Sequence, residues 1–279
     1  MSPPPRLLLA LDMDGTLLRD DKTVAEVDAY AIRGAAQHGI AVTLATGRLI
    51  TGALPTARQL GLDVPLICAD GSVLIDPTTG TTLERRSIAI AHATQALTAL
   101  LSHDLIPFVF SAHAIHCEAS GGKLRAVVDT WTDDLVIHQS LHAADAWKSP
   151  EGVAVTVGIG DRDAVERASA HLRHVHGDTL DTVHFGLRGM TIWAVRSLAR
   201  GCDKGDMLER LALRMNIPRA QVAAVGDWFN DLGMFKYAGR SFAMGQAPEA
   251  VQLAATDQMR ATSTTGGGIA EAIAALLAT

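Results

Sequence analysis

Asp12 and Asp14 stand two residues apart in Asp12-Met13-Asp14-Gly15-Thr16, directly after the apolar run Leu7–Leu11. Carboxyls at this spacing, on a chain leaving a strand, can both face one crevice, and Gly15 permits the sharp turn that this requires. One is then placed to act as a nucleophile while the other gives or takes a proton. Thr46-Gly47-Arg48, after the run Ile40–Leu44, brings a hydroxyl, a backbone N–H and a helix start together. That combination is an anion site, and phosphate is the obvious anion. The stretch Gly226-Asp227-Trp228-Phe229-Asn230-Asp231 follows the run 222–225 and puts further carboxylates at a strand end, while Lys204, after Gly201-Cys202-Asp203, offers a cation.

Asp12, Asp14, Asp227 and Asp231 can therefore share one small site. Two such charges at about 4 Å and an effective dielectric of about 20 repel by about 4 kcal/mol, so four of them call for a cation. Oxygen ligands without His or Cys point to Mg²⁺.

The elements that must carry these residues follow from the hydrophobic pattern. Leu7–Leu11 reads as a strand buried on both faces, 24–38 as a helix with Thr23 as its N-cap and Glu26 three residues on, and Ile40–Leu44 as the next strand. A helix to about residue 60 and a strand over 64–68 complete a βαβαβ unit. Helix and strand alternate again from 207 to the end, so both ends of the chain build one sheet. Between them the pattern becomes that of strands with one wet face, over 81–86, 108–111, Ile115–Glu118, 153–158, 183–187 and 190–195, with helices over 91–101 and 164–174. Ten of the eleven histidines fall between His92 and His184, which supports a separate insert. The expected fold is α/β, a Rossmann-like doubly wound parallel sheet formed by 1–84 and 193–279, carrying an inserted α+β cap domain over 85–192.

Lys+Arg 24 against Asp+Glu 30 gives a net charge of −6, with 48% hydrophobic and 19% charged residues, the balance of a globular chain with no electrostatic grip on nucleic acid. Cys68, Cys117 and Cys202 form no CxxC pair, which argues against a disulfide framework or a zinc ribbon. Prolines 3–5 stand where a signal peptide needs its apolar core. The apolar stretch 269–278 is about half the ~20 residues that cross a bilayer. These features predict a cytoplasmic protein with no membrane partner. Gly158-x-Gly160 lacks the third glycine of a dinucleotide fingerprint, so no nucleotide cofactor is indicated.

Taken in order, Asp12-x-Asp14-Gly15-Thr16, Thr46-Gly47-Arg48, Asp203-Lys204-Gly205 and Gly226-Asp227-x-x-Asn230-Asp231 resemble the haloacid dehalogenase-like hydrolase superfamily, and more narrowly its Cof-type (class IIB) phosphatases with a large α/β cap. The resemblance covers essentially the whole chain. It implies that Asp12 attacks phosphorus to form an aspartyl-phosphate and that Asp14 alternates as general acid and base. It implies Mg²⁺ held by the Asp12 side chain, the Asp14 carbonyl and Asp227, with Asp231 positioning a water ligand. Thr46, Gly47, Lys204 and Asn230 would hold the phosphoryl oxygens, with Arg48 either joining them or tethering its helix. The implied substrate is a small phosphorylated metabolite, a sugar phosphate first, chosen by a cap that closes over the core. A monomer or weak homodimer is expected.

Two departures stand out: Asp70-Gly71 where the family often has Asn-Gly, and Trp228 where smaller or polar residues are common. Hairpin geometry is the plainer reading of Asp70, and packing that of Trp228. His171, His174 and His176 read as exposed histidines at a helix end, His113 and His116 receive no role, and Gly266-Gly267-Gly268 reads as a loop before a helix rather than an anion nest. A phosphomutase using the same Asp12, or a catalytically idle phosphometabolite-binding protein, remain the alternatives.

Overall fold

The computed structural model describes residues 5–129, 131–132, 134–187 and 189–278; prolines 3 and 4 lie outside them. In chain order come β1 (Leu7–Leu11), α1 (Glu26–Ala35), β2 (Ile40–Leu44), α2 (Ile50–Leu60), β3 (Leu66–Cys68), β4 (Val73–Ile75) and β5 (Thr82–Arg85). The middle holds α3 (Ile90–Ser102), β6 (Ile106–Phe110), β7 (Ile115–Glu118), the single turns α4 (Ala119–Gly122) and α5 (Arg125–Val128), and β8 (Leu135–His138). After it come β9 (Val155–Gly160), α6 (Arg162–His176), β10 (Leu180–Gly186) and β11 (Trp193–Ala199). Last are α7 (Lys204–Arg214), β12 (Val222–Gly226), α8 (Leu232–Tyr237), β13 (Arg240–Ala243), α9 (Glu249–Ala254), β14 (Asp257–Gln258) and α10 (Gly268–Leu277).

The chain divides into two compact units, one of residues 1–46, 53–84 and 203–279 and the other of 47–52 and 85–202. The first is built on a five-stranded parallel sheet in the order β14-β13-β12-β1-β2, which a parallel bridge between Ala45 and Ile67 extends towards β3. The strands β2 and β12 are buried throughout and β1 at all but its first residue, which is why they read as unbroken apolar runs. Leu8, Ala10 and Ala224 pack with Leu208 and Leu211 of α7 and Met234 of α8. In this parallel sheet every carboxyl edge faces the same way, so the turns after β1, β2 and β12 open at one rim.

The second unit is a six-stranded sheet, β10-β11-β9-β6-β7-β8, antiparallel except where β7 meets β8. Leu97 and Leu100 of α3 and Val165 and Leu172 of α6 pack with Val109, Val195 and the fully buried Trp147. The Trp147 indole N–H is satisfied by the Leu141 carbonyl at 2.8 Å. Mixed α/β architecture with a parallel core sheet and additional antiparallel sheets is thus the fold, as the pattern predicts. The second unit runs ten residues past the expected limit of 192, because β11 pairs along its length with β10 and most of it with β9.

Thr23 is not the N-cap of α1. Ala25 holds that position, without a side-chain cap. A bridge between Leu18 and Val24 draws the preceding loop out, and the Thr23 hydroxyl instead donates to Asp21 at 2.6 Å. The glycine run before α10 does form an anion nest. The anion is the chain's own Asp28, whose oxygens accept from Gly267 N and Ala270 N at 2.8 Å each. Among the described residues, no helix is long and apolar enough to cross a membrane.

Candidate active site

The first carboxylate is delivered by the end of β1. Asp12 N donates to Val225 O at 3.0 Å, prolonging the ladder with β12 by one residue and fixing Asp12 at the sheet rim. From β12 come Gly226 and Asp227. Gly226 is required here, since a Cβ on it would lie 2.6 Å from the Asp231 carboxyl group. That carboxyl folds back under its own loop, its Oδ2 accepting from Asp227 N at 2.9 Å and Trp228 N at 3.0 Å. The Thr16 hydroxyl donates to Asp227 Oδ1 at 3.0 Å, tying the β1 turn to the β12 turn.

Lys204 opens α7. Its position is set by a capping box in which the Asp203 carboxylate accepts from Asp206 N and the Asp206 carboxylate from Asp203 N. The ammonium is wholly buried and reaches Asp12 Oδ1 at 2.6 Å and Asp231 Oδ1 at 2.7 Å. Burial alone would lower the Lys204 pKa, but Asp12, Asp231 and Asp70 outweigh it and hold the group above its ordinary value. Burial, followed by the charge of Asp231, pushes the Asp12 carboxyl up to about 7 against the pull of Lys204.

Asp12, Asp227 and Asp231 each bring a carboxylate oxygen within 4.8 Å of the others. The three carboxyls outnumber the one ammonium of Lys204, an acidic excess that a divalent cation would offset. All-oxygen donors of this hardness suit Mg²⁺. The three are not equivalent. Both Asp231 oxygens are already engaged by Lys204 and two backbone N–H groups, whereas Asp12 and Asp227 stand at the ends of adjacent strands.

Asp14 lies outside this buried group. Its side chain is 35% exposed, and Lys22 Nζ lies 3.3 Å from its Oδ1. Thr46 is buried, with its N–H on Ile67 O and its carbonyl accepting from Asp70 N, both at 2.9 Å. Asn230 Nδ2 donates to Asp70 Oδ1 at 3.0 Å. Gly47 and Arg48 fall in the second unit, where Arg48 donates to the Gly52 carbonyl at 3.2 Å. Trp228 is half-buried and stands edge-on to Phe229. One residue escaped the sequence reading. Gln246 donates from Nε2 to Gly15 O at 2.6 Å and lies 3.4 Å from Asp227 Oδ2, while its Oε1 accepts from Ser263 N. It sits in a loop after β13 with no charge to mark it.

The family model for haloacid dehalogenase-like hydrolases matches residues 9–273. The chain belongs to the haloacid dehalogenase-like hydrolases. This haloacid dehalogenase-like hydrolase is similar to Phosphatase YwpJ of Bacillus subtilis, at 29% identity over 269 residues covering 88% of this chain and 91% of that protein. It is also similar to Pyridoxal phosphate phosphatase YbhA of Escherichia coli, at 28% identity over 251 residues covering 88% and 90%. A solved haloacid dehalogenase-like hydrolase from B. subtilis shares its fold with a TM-score of 0.84 at 26% identity, covering 96% of this chain and 99% of that one. Phosphatases of this family generally use Mg²⁺.

Proposed function

We propose that the protein is a Mg²⁺-dependent phosphatase that hydrolyses small phosphorylated metabolites, sugar phosphates foremost, through an aspartyl-phosphate on Asp12. The observation that carries this reading is the buried group of Asp12, Asp227 and Asp231 around Lys204, at the carboxyl ends of β1 and β12. The phosphatase names of its relatives support it. Four ionisable groups, drawn from the turns after β1 and β12 and from the start of α7, meet there.

In this reading Asp12 and Asp227, with the Asp14 carbonyl, hold the ion. When bound, it would withdraw charge from the phosphoryl oxygens. An Asp12 oxygen forms a bond to phosphorus as the ester P–O bond breaks, and Asp14 gives its proton to the departing oxygen. Water then attacks phosphorus, Asp14 takes a proton from it, and the Asp12 carboxylate leaves with phosphate released. Its solvent exposure lets Asp14 exchange protons with water between turnovers. Thr46, Lys204 and Asn230 supply donors to the phosphoryl oxygens. Asp231 anchors Lys204 and the turn after β12.

Hydrolysis of p-nitrophenyl phosphate with Mg²⁺ tests the reading. Asp12→Asn is expected to reduce turnover by at least about a thousandfold while the melting temperature holds. EDTA is expected to abolish turnover and Mg²⁺ to restore it. Turnover retained by Asp12→Asn, or undiminished by chelation, overturns the reading.

A further inference from the structure

Asp70 is a fourth carboxylate beside the donors just assigned to phosphate, and the phosphatase reading gives it no task. The loop after β3 carries it in an unusual backbone: Ala69, Asp70 and Gly71 have φ of 48°, 54° and 104° in succession. Side chains rarely adopt such angles, and here two non-glycine residues do so in a buried turn. The loop is pressed against the start of α7, where a Cβ on Gly71 would overlap the Asp203 carbonyl and crowd Lys204 N. The turn therefore holds Asp70 close to the helix end from which Lys204 projects. Its Oδ1 accepts from Asn230 Nδ2 at 3.0 Å, so one of the two amide N–H groups of Asn230 faces an anion belonging to the protein.

Turn geometry does not call for the charge. Asn tolerates the left-handed region as well as Asp does, and its carbonyl oxygen can also accept from Asn230. A carboxylate in this place differs from an amide chiefly in its effect on charge. Its charge acts on the Lys204 ammonium, which Asp12 and Asp231 contact directly, and opposes any dianion brought to the same donors.

We propose that Asp70 weakens the site's hold on a phosphate dianion and so hastens release of inorganic phosphate after each turnover. The proposal rests on the phosphatase reading. Its sign sets it apart from a merely structural role, because a damaged turn weakens binding whereas loss of this charge strengthens it.

Calorimetric titration of inorganic phosphate into the Mg²⁺-loaded protein, with product inhibition of p-nitrophenyl phosphate hydrolysis measured alongside, tests it on wild type, Asp70→Asn and Asp70→Ser. Both variants are expected to bind phosphate about tenfold more tightly than wild type, and to be inhibited by it at correspondingly lower concentration. Asp70→Ser guards against a folding defect in Asp70→Asn. Phosphate affinity that is unchanged or weaker in the folded variants, with the wild type hydrolysing normally, overturns this inference alone. A wild type that neither hydrolyses the ester nor binds phosphate overturns the phosphatase reading and the inference with it.

Discussion

Gln246 ties three loops together through one side chain. Its amide N–H groups reach Gly15 O in the turn after β1 and approach Asp227 after β12, while its carbonyl takes the Ser263 N–H. Groups that orient a ligating carboxylate typically change metal affinity by about ten- to a hundredfold when removed. Gln246→Ala is accordingly expected to weaken Mg²⁺ binding by about that factor, read by calorimetric titration of the metal; an unchanged affinity would show that the carboxylate needs no such support. The carboxylates themselves were legible as residue types following apolar runs. Their sharing of one site was expected from the strand ends they follow, but the direct contact of Lys204 with Asp12, across 192 positions of sequence, was not. Gln246 and the Asn230 to Asp70 bond were illegible for a related reason: both depend on how irregular loops pack, and uncharged amides in loops carry no pattern.

Among the elements, β7 and β8 place His116 and His138 face to face. The rings are stacked with Nδ1 of His116 2.9 Å from Nε2 of His138, and His116 Nε2 lies 3.0 Å from the Ser111 hydroxyl. Burial, and then the nearby His138, push His116 down to about 4. The unfolded chain takes up this proton near pH 6.5 and the folded chain only near pH 4, so the unfolded state binds more protons in that window. Stability contributed by the neutral His116 is present above about pH 6.5 and is lost on acidification towards pH 4, by about 3 kcal/mol in all. His116→Asn is expected to flatten the fall in urea midpoint between about pH 6.5 and pH 4, and a slope equal to that of wild type would place its source elsewhere. The strands with both faces covered were the easiest to read, because nothing interrupts Leu7–Leu11 or Ile40–Leu44. β8 went unread: it is four residues at a sheet edge with Val136 and Ile137 exposed, so burial imposes no alternation on it. The run of β11 on to Ala199 was likewise hidden, since cross-strand pairing decides its length and the polar Arg196 and Ser197 interrupt its pattern.

At the scale of the molecule, the first helix and the last are held by a charge. Asp28 is 1% exposed and both of its oxygens accept from the N-terminus of α10, where the helix dipole favours an anion. Asp28→Asn turns one of the acceptors into a donor facing a donor. It is expected to cost about 1–3 kcal/mol in urea denaturation, with turnover per folded molecule preserved. A loss well under 1 kcal/mol would mean that water can replace the bond. The doubly wound core was visible in the alternation of helix and strand at both ends of the chain. This clasp was not, because a loop of three glycines looks the same whether or not a carboxylate 239 positions away fills it.

That buckle makes the final helix a keystone rather than an ornament. A protease cut between Thr265 and Gly268 would free α10 to drift off, taking from Asp28 the Ala270 N–H and opening the apolar face of α1 to water. Nicked molecules should therefore unravel and be digested whole instead of accumulating as a trimmed fragment, a difference that one gel lane displays.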